Sequence, residues 1–164
     1  MAKQKLVKTS EIPANPATVF AWHERPGAVE ELTPPWEKVK ILERAKGLQV
    51  GTRVVFKIYG GLWPQTWVAE HVEYAPPHLF ADVQRQGPFA YWYHRHRFEL
   101  TPRGTTLMTD EIEYKVPFGW LGELVAGWFV RAKLKKMFEY RHQVVAKAFE
   151  NSTFARATTE NRAA

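Results

Sequence analysis

His94 and His96 lie two residues apart in the stretch GPFAYWYHRHRFEL, residues 87–100, and Asp110 follows in the next strand-like run. Imidazole is the side chain whose unperturbed charge changes near neutrality, and a carboxylate beside it fixes its tautomer and raises its pKa. In a strand, alternate side chains share a face. His94 and His96 therefore travel with Trp92, Phe98 and Leu100, and the opposite face carries Tyr91, Tyr93, Arg95, Arg97 and Glu99. Phe98 and Leu100 select the covered face, and register carries the imidazoles inward with them. Asp110 shares its parity with Met108, Ile112, Tyr114 and Val116, and a buried carboxylate needs a donor. Phe80 brings Asp82 and Gln84 inward by the same logic, although Leu79, Ala81 and Val83 argue for the opposite parity.

Four chemistries fit such an island. It could be a closed hydrogen-bond network that only fixes strand register. It could anchor the polar end of a small molecule. In that case Trp92, Phe98, Met108, Ile112 and Tyr114 from the strands, with Leu124 and Trp128 from a helix, cover the apolar body, and Asp82, Gln84 and Trp67 stand at the periphery. A His–Asp pair could also move protons in a cyclisation, dehydration or hydrolysis. Finally, His94, His96 and Asp110 could supply three metal ligands. A lone His-x-His has low specificity, so neither a metal nor a cofactor is expected. The chain has no glycine-rich phosphate loop, nucleophile elbow or dinucleotide fingerprint. Ligand binding is the reading carried forward, with the catalytic role of His94, His96 and Asp110 left open.

Such residues must be held by elements, and the chain alternates between two periodicities. Lys5 to Glu11 reads as a strand; Asn15-Pro16 then signals a helix start, with Val19, Phe20 and His23 at helical spacing. A second short helix is expected from about Pro26 to Leu32. Strand-like runs follow at Glu37–Glu43, Thr52–Tyr59, Gln65–Tyr74, Leu79–Arg85, Phe89–Leu100 and Thr105–Val116, separated by turn-rich links that include Gly60-Gly61 and Gly104. Trp63 and Trp67, after the glycine pair, either rim a cavity or fill the core. From Phe118 the period becomes helical through Leu121, Leu124, Val125, Trp128, Phe138, Val145 and Phe149 to about Glu150. Consecutive strands with short links make an antiparallel meander. With one long helix on its concave face, the chain is an α+β layer arrangement.

The bulk properties narrow the partners. The 164 residues suit one domain, residues 1–150, followed by a polar tail, 151–164, expected to be disordered. Hydrophobic residues make up 45% and aromatic residues 14%, with seven tryptophans, enough to build a core and to line an apolar pocket. There is no cysteine, so disulfides and thiolate chemistry are excluded, in keeping with a cytoplasmic location. The first residues carry no apolar segment of secretory type. The net charge of +6 is spread along the chain, and no nucleic-acid motif accompanies the Tyr91, Tyr93, Arg95 and Arg97 stripe. No nucleic-acid partner is therefore expected. Arg131, Lys133, Lys135 and Lys136 form the one basic cluster. Beside Trp120, Trp128 and Phe129 they allow weak contact with an anionic membrane surface, or simply a solvated helix face. Gly119, Gly122 and Gly127 weaken this part of the helix, which suggests close packing or mobility.

The element order, together with the stretches PANPATVFAWHERPGAVEELTPP, GPFAYWYHRHRFEL and GTTLMTDEIEYKVPFG, resembles the START/Bet v 1-like superfamily of polyketide cyclase/dehydrase-like and lipid-transfer domains, across nearly all of residues 5–150. The resemblance implies a helix-grip fold: a seven-stranded curved antiparallel sheet, two short helices after the first strand and a long C-terminal helix. It also implies an internal cavity between sheet and helix that holds a small hydrophobic or amphipathic molecule. Cyclase-like turnover and lipid shuttling are the alternative roles it carries. Related domains occur fused to a nucleotide-sugar-epimerase-like domain, of which this chain shows no part.

Overall fold

The computed structural model describes residues 3–59 and 63–150. Its elements are β1 (Gln4–Ile12), α1 (Pro16–Glu24), α2 (Ala28–Glu31), β2 (Val39–Glu43), β3 (Arg53–Ile58), β4 (Gln65–Ala75), β5 (Leu79–Gln86), β6 (Tyr91–Leu100), β7 (Thr106–Lys115) and α3 (Gly119–Glu150). The strands form one antiparallel sheet in the order β1-β7-β6-β5-β4-β3-β2. Six of them run as a meander and β1 closes the far edge on β7. This is the α+β helix-grip arrangement. The Gly60-Gly61 turn and the 151–164 tail lie outside the described residues, as do the side chains of Trp120, Leu121, Glu123 and Val125.

Local chemistry sets the boundaries. Asn15 caps α1 by accepting from the Thr18 amide at 3.0 Å, and Pro16 opens the helix where no amide hydrogen is required. Gly104 turns the β6–β7 hairpin with φ 78°, a conformation that favours glycine. At the start of α3, a Cβ on Gly122 would meet the Pro117 carbonyl oxygen at 1.9 Å. Close approach therefore accounts for this glycine.

The helix α3 packs against β1 and, through one stripe, against the inner faces of β6 and β7. That stripe is Leu134, Phe138, His142, Val145 and Phe149, all buried at helical spacing. It splits the core into two apolar clusters. One gathers Ile12, Phe20, Phe80, Phe98, Met108, Val145 and Phe149; the other gathers Trp92, Ile112, Tyr114, Val116, Leu134 and Phe138. On three elements the residue between the clusters is polar: His94 and His96 between Trp92 and Phe98, Asp110 between Met108 and Ile112, and His142 between Phe138 and Val145.

Three sequence expectations are corrected here. Leu124 and Trp128 are 71% and 72% exposed and cover nothing in the interior. Among the described residues, the large buried hydrophobic side chains of α3 are Leu134, Phe138, Val145 and Phe149. Leu100, expected inward with Phe98, is exposed because it ends its strand at the mouth of the hairpin.

Candidate functional site

Sheet register builds the site. The strand β6 lies between β5 and β7, with His94 paired opposite Asp82 on one side and His96 opposite Asp110 on the other. The inner face thus holds two imidazoles flanked by two carboxylates. His94 Nε2 lies 3.2 Å from Asp110 Oδ1, and His96 Nδ1 lies 2.8 Å from the same oxygen. From the helix, His142 Nε2 reaches Asp110 Oδ2 at 3.0 Å, and its Nδ1 meets Ser10 Oγ at 2.9 Å. Three imidazoles therefore converge on Asp110. On the other side, Asp82 Oδ2 is 3.3 Å from His94 Nδ1 and 3.8 Å from His96 Nε2. Phe80 stacks on His96 with ring centroids 4.0 Å apart, and Phe138 meets His94 edge-on at 4.9 Å, so neighbouring rings fix both orientations.

The electrostatics follow from this enclosure. Burial opposes charge on His94, but the hydrogen bond and charge of Asp110, then those of Asp82, outweigh it and push the imidazole pKa up to about 9. Burial likewise opposes charge on Asp110, and the adjoining His96, His142 and His94 hold its carboxyl well below the usual range. The same balance, through His94 and His96, keeps Asp82 ionised. His23 behaves oppositely. Burial, aided by the nearby His96, drives its pKa down to about 4, and its Nδ1 rests on the Val19 carbonyl oxygen at 2.8 Å.

Beside this network lies a cavity of about 730 Å³. Its sheet wall is drawn from five strands: Val39 on β2, Val54, Phe56 and Ile58 on β3, Gln65, Trp67, Ala69 and His71 on β4, Phe80 and Asp82 on β5, and Trp92, His94 and His96 on β6. Val130, Lys133, Leu134, Met137 and Arg141 of α3 form another wall, and α1, α2 and their following loops, the β2–β3 loop, Trp63 and the β5–β6 turn supply the rest. The ion pair of Lys133 Nζ with Glu37 at 2.9 Å lies among the lining residues.

Of the candidate residues singled out in the sequence, Trp67, Asp82, Trp92, His94 and His96 line this cavity, and Trp63, 72% exposed, stands at its rim rather than in the core. Phe98, Met108, Asp110, Ile112 and Tyr114 do not; they are buried in the packed half beneath α3. Gln84 instead holds the β5–β6 turn, donating to the Phe89 carbonyl oxygen at 2.7 Å and accepting from its amide at 3.2 Å. The cavity is displaced because α3 fills the β1-β7-β6 half of the face with its own side chains and leaves the β3–β5 half open.

Sequence reasoning missed His142, His71 and Arg141. His142 stood at a core position of the helical stripe, four residues after Phe138 and three before Val145, and that spacing was the available signal. His71 bonds Thr52 Oγ1 at 2.8 Å, a partner in a neighbouring loop that periodicity does not reveal. The outward stripe is engaged with its own neighbours. Arg95 Nε meets Glu73 at 2.8 Å, Tyr93 also bonds Glu73, and Arg97 lies 3.5 Å from Glu111. Among the described residues no helix is long and apolar enough to cross a membrane.

Comparisons with known proteins agree with this architecture. The structure is similar to that of a nucleoside-diphosphate sugar epimerase from Corynebacterium glutamicum, with 27% identity and a TM-score of 0.72 over 94% of this chain. The match spans only 30% of that protein. It is also similar to the Zhui aromatase/cyclase from Streptomyces sp. R1128, with 15% identity, a TM-score of 0.67, and 91% and 94% of the two chains covered. Norcoclaurine synthase from Thalictrum flavum gives 15% identity and a TM-score of 0.67 over 92% and 88%. At these last identities the likeness is one of fold. No curated protein sequence matches the chain. A family model described as polyketide cyclase / dehydrase and lipid transport matches residues 12–139. With its seven-stranded sheet gripping a long helix, and a match over most of its length, the chain belongs to that family.

Proposed function

We propose that the protein binds one small, mostly apolar molecule with a polar end in the cavity between β3–β6 and α3. The observation that carries this reading is the cavity itself. Its volume of about 730 Å³ falls within the ~300–1,000 Å³ of small-molecule sites. Its sheet wall is largely apolar and aromatic with a polar island at Asp82, His94 and His96, while the side formed by α1, α2, the β2–β3 loop and α3 adds charged residues, among them Glu37, Lys133 and Arg141. The apolar body lies against Phe56, Trp67, Trp92 and Met137, and the polar end meets the His–Asp island. A lipid-, polyketide- or aromatic-like molecule has this shape, and the family description supports that range.

Native mass spectrometry of freshly purified protein tests the reading. One co-purifying small molecule is expected, and the variant Ala69→Trp, which fills the cavity from β4, loses it. Retention of the same molecule by that variant would place the binding elsewhere.

A second reading, cyclase- or dehydrase-like catalysis, is favoured by one observation. His94 sits on the cavity wall with its pKa pushed up to about 9, an imidazolium able to protonate a bound carbonyl or hydroxyl oxygen. His94→Gln separates the two. Binding weakens moderately if His94 only anchors, and turnover vanishes if it transfers the proton. Lipid shuttling finds its apolar part in the exposed Phe118, Leu124, Trp128 and Phe129. Of the basic cluster, however, Lys133 is paired with Glu37 and Lys136 lies 4.5 Å over the Trp36 ring.

A further inference from the structure

Asp82, His94 and His96 each offer one ligand-type atom, and the three atoms all lie within 4.8 Å of one another. The measured edges, 3.3 Å from Asp82 Oδ2 to His94 Nδ1 and 3.8 Å to His96 Nε2, bracket the separation of ligands around tetrahedral zinc. Bonds of about 2.0–2.1 Å at the tetrahedral angle place neighbouring donors roughly 3.4 Å apart.

The far side of each imidazole completes the pattern. The other nitrogens, His94 Nε2 and His96 Nδ1, both face Asp110 Oδ1. A metal-bound imidazole characteristically gives its second N–H to a carboxylate, which orients the ring and strengthens the donor. Here one buried carboxylate does this for both rings, and His142, itself held by Ser10, locks that carboxylate from the helix side. The atoms turned toward Asp82 are His94 Nδ1 and His96 Nε2, and a metal ion would take the place of any proton there while the opposite N–H groups stay on Asp110.

From this geometry we infer that Asp82, His94 and His96 form a three-ligand site for a divalent first-row transition ion, zinc best matching the spacing, with its fourth position open to the cavity. Two imidazoles and one carboxylate suit zinc, cobalt or iron(II) better than magnesium or calcium, which prefer all-oxygen sets. Three protein ligands with one free position is also the arrangement of catalytic rather than structural zinc. One dication would offset the charges of Asp82 and Asp110 together. The sequence had suggested Asp110 as the third ligand; the structure gives Asp82 that place and Asp110 the supporting one. The inference goes beyond the small-molecule reading and does not depend on it.

The test is titration of the chelator-treated full chain with Zn²⁺ by calorimetry, and with Co²⁺ by visible absorption. Stoichiometric 1:1 binding is expected, with cobalt ligand-field bands of a low-coordinate nitrogen–oxygen site. Asp110→Asn weakens binding by roughly 10–100-fold while leaving the cobalt spectrum in place, as for other supporting residues. His96→Gln and Asp82→Asn weaken it further and change the spectrum. Asp82 is on the cavity wall, so Asp82→Asn keeps the comparison within folded protein. Absence of stoichiometric binding, or affinity unchanged by Asp82→Asn and His96→Gln, would overturn the site. No organic ligand enters the titration, so its failure leaves the cavity reading standing.

Discussion

One face of one sheet is used in two ways. Under α3, the β1-β7-β6 half is packed solid by Phe98, Met108, Ile112 and Tyr114 against Phe138, Val145 and Phe149. The β3–β5 half carries Val54, Phe56, Ile58, Trp67 and Phe80 beside His71 and Asp82, and faces a cavity of about 730 Å³. The boundary runs along β6, where His94 and His96 stand between Asp110 on the packed side and Asp82 on the open side. The two carboxylates share the same imidazoles yet differ in surroundings. Asp110 is 3% exposed and takes three imidazole partners, whereas Asp82 lines the cavity. The difference teaches that the network's closed side holds structure and its open side is available for chemistry.

The strongest way to break this comparison is to remove the closed carboxylate. Asp110→Ala leaves three imidazoles without their acceptor, and a loss of about 3–5 kcal/mol is expected in urea unfolding, the usual cost of breaking a buried pair. Asp82→Asn, which keeps shape on the open side, is expected to cost less, about 1.5–3 kcal/mol, the worth of a hydrogen bond to a charged group. Equal losses would show that the two sides are not distinct.

Next in size is the pH dependence of stability in the metal-free protein. The folded pKa of His94 is raised to about 9 from an ordinary value of about 6.5. Its contribution is therefore whole below pH 6.5 and is lost as pH rises through 9. The folded pKa of His23 is depressed to about 4, so its contribution is present above pH 6.5 and is lost as pH falls toward 4. The urea midpoint should decline on both sides of a near-neutral range. Asp110→Asn should flatten the alkaline limb, and it should also lessen the fall at the acid extreme, where the carboxylate of Asp110 would otherwise have to take up a proton. A monotonic profile, or an alkaline limb unchanged by that variant, would contradict the assignment.

Much of this was legible in the sequence, for reasons visible at particular residues. Period-two alternation in β6 and β7 placed His94, His96 and Asp110 inside, because a one-residue slip would have turned Phe98 and Ile112 to water. Asp82 followed Phe80 despite the competing parity of Ala81, which the structure shows to be buried as well. What alternation does not encode is which part of the face a helix covers. Leu124 and Trp128 matched the helical period but stand exposed on α3, so periodicity alone assigned them wrongly to the interior. His142 was obscured by the opposite problem, a polar residue at a core position whose partner, Asp110, is remote in sequence.

The smallest effects sharpen the comparison by their absence. Trp128→Ser and Leu124→Ser, outside both halves, should shift stability by no more than about 0.5 kcal/mol in either direction in urea unfolding. Lys133→Ala removes the partly exposed ion pair with Glu37 and should cost less than about 1 kcal/mol. A larger loss would mean that this pair helps to hold α3 over the open half.

The account is tested most directly by native mass spectrometry of the protein incubated with a mixed panel of fatty acids, aromatic polyketides and small aromatic amphiphiles, run beside the Ala69→Trp variant. The prediction is a single 1:1 adduct from one of these classes, absent when the cavity is filled. Bare protein across the whole panel, or the same adduct on the filled variant, would contradict it.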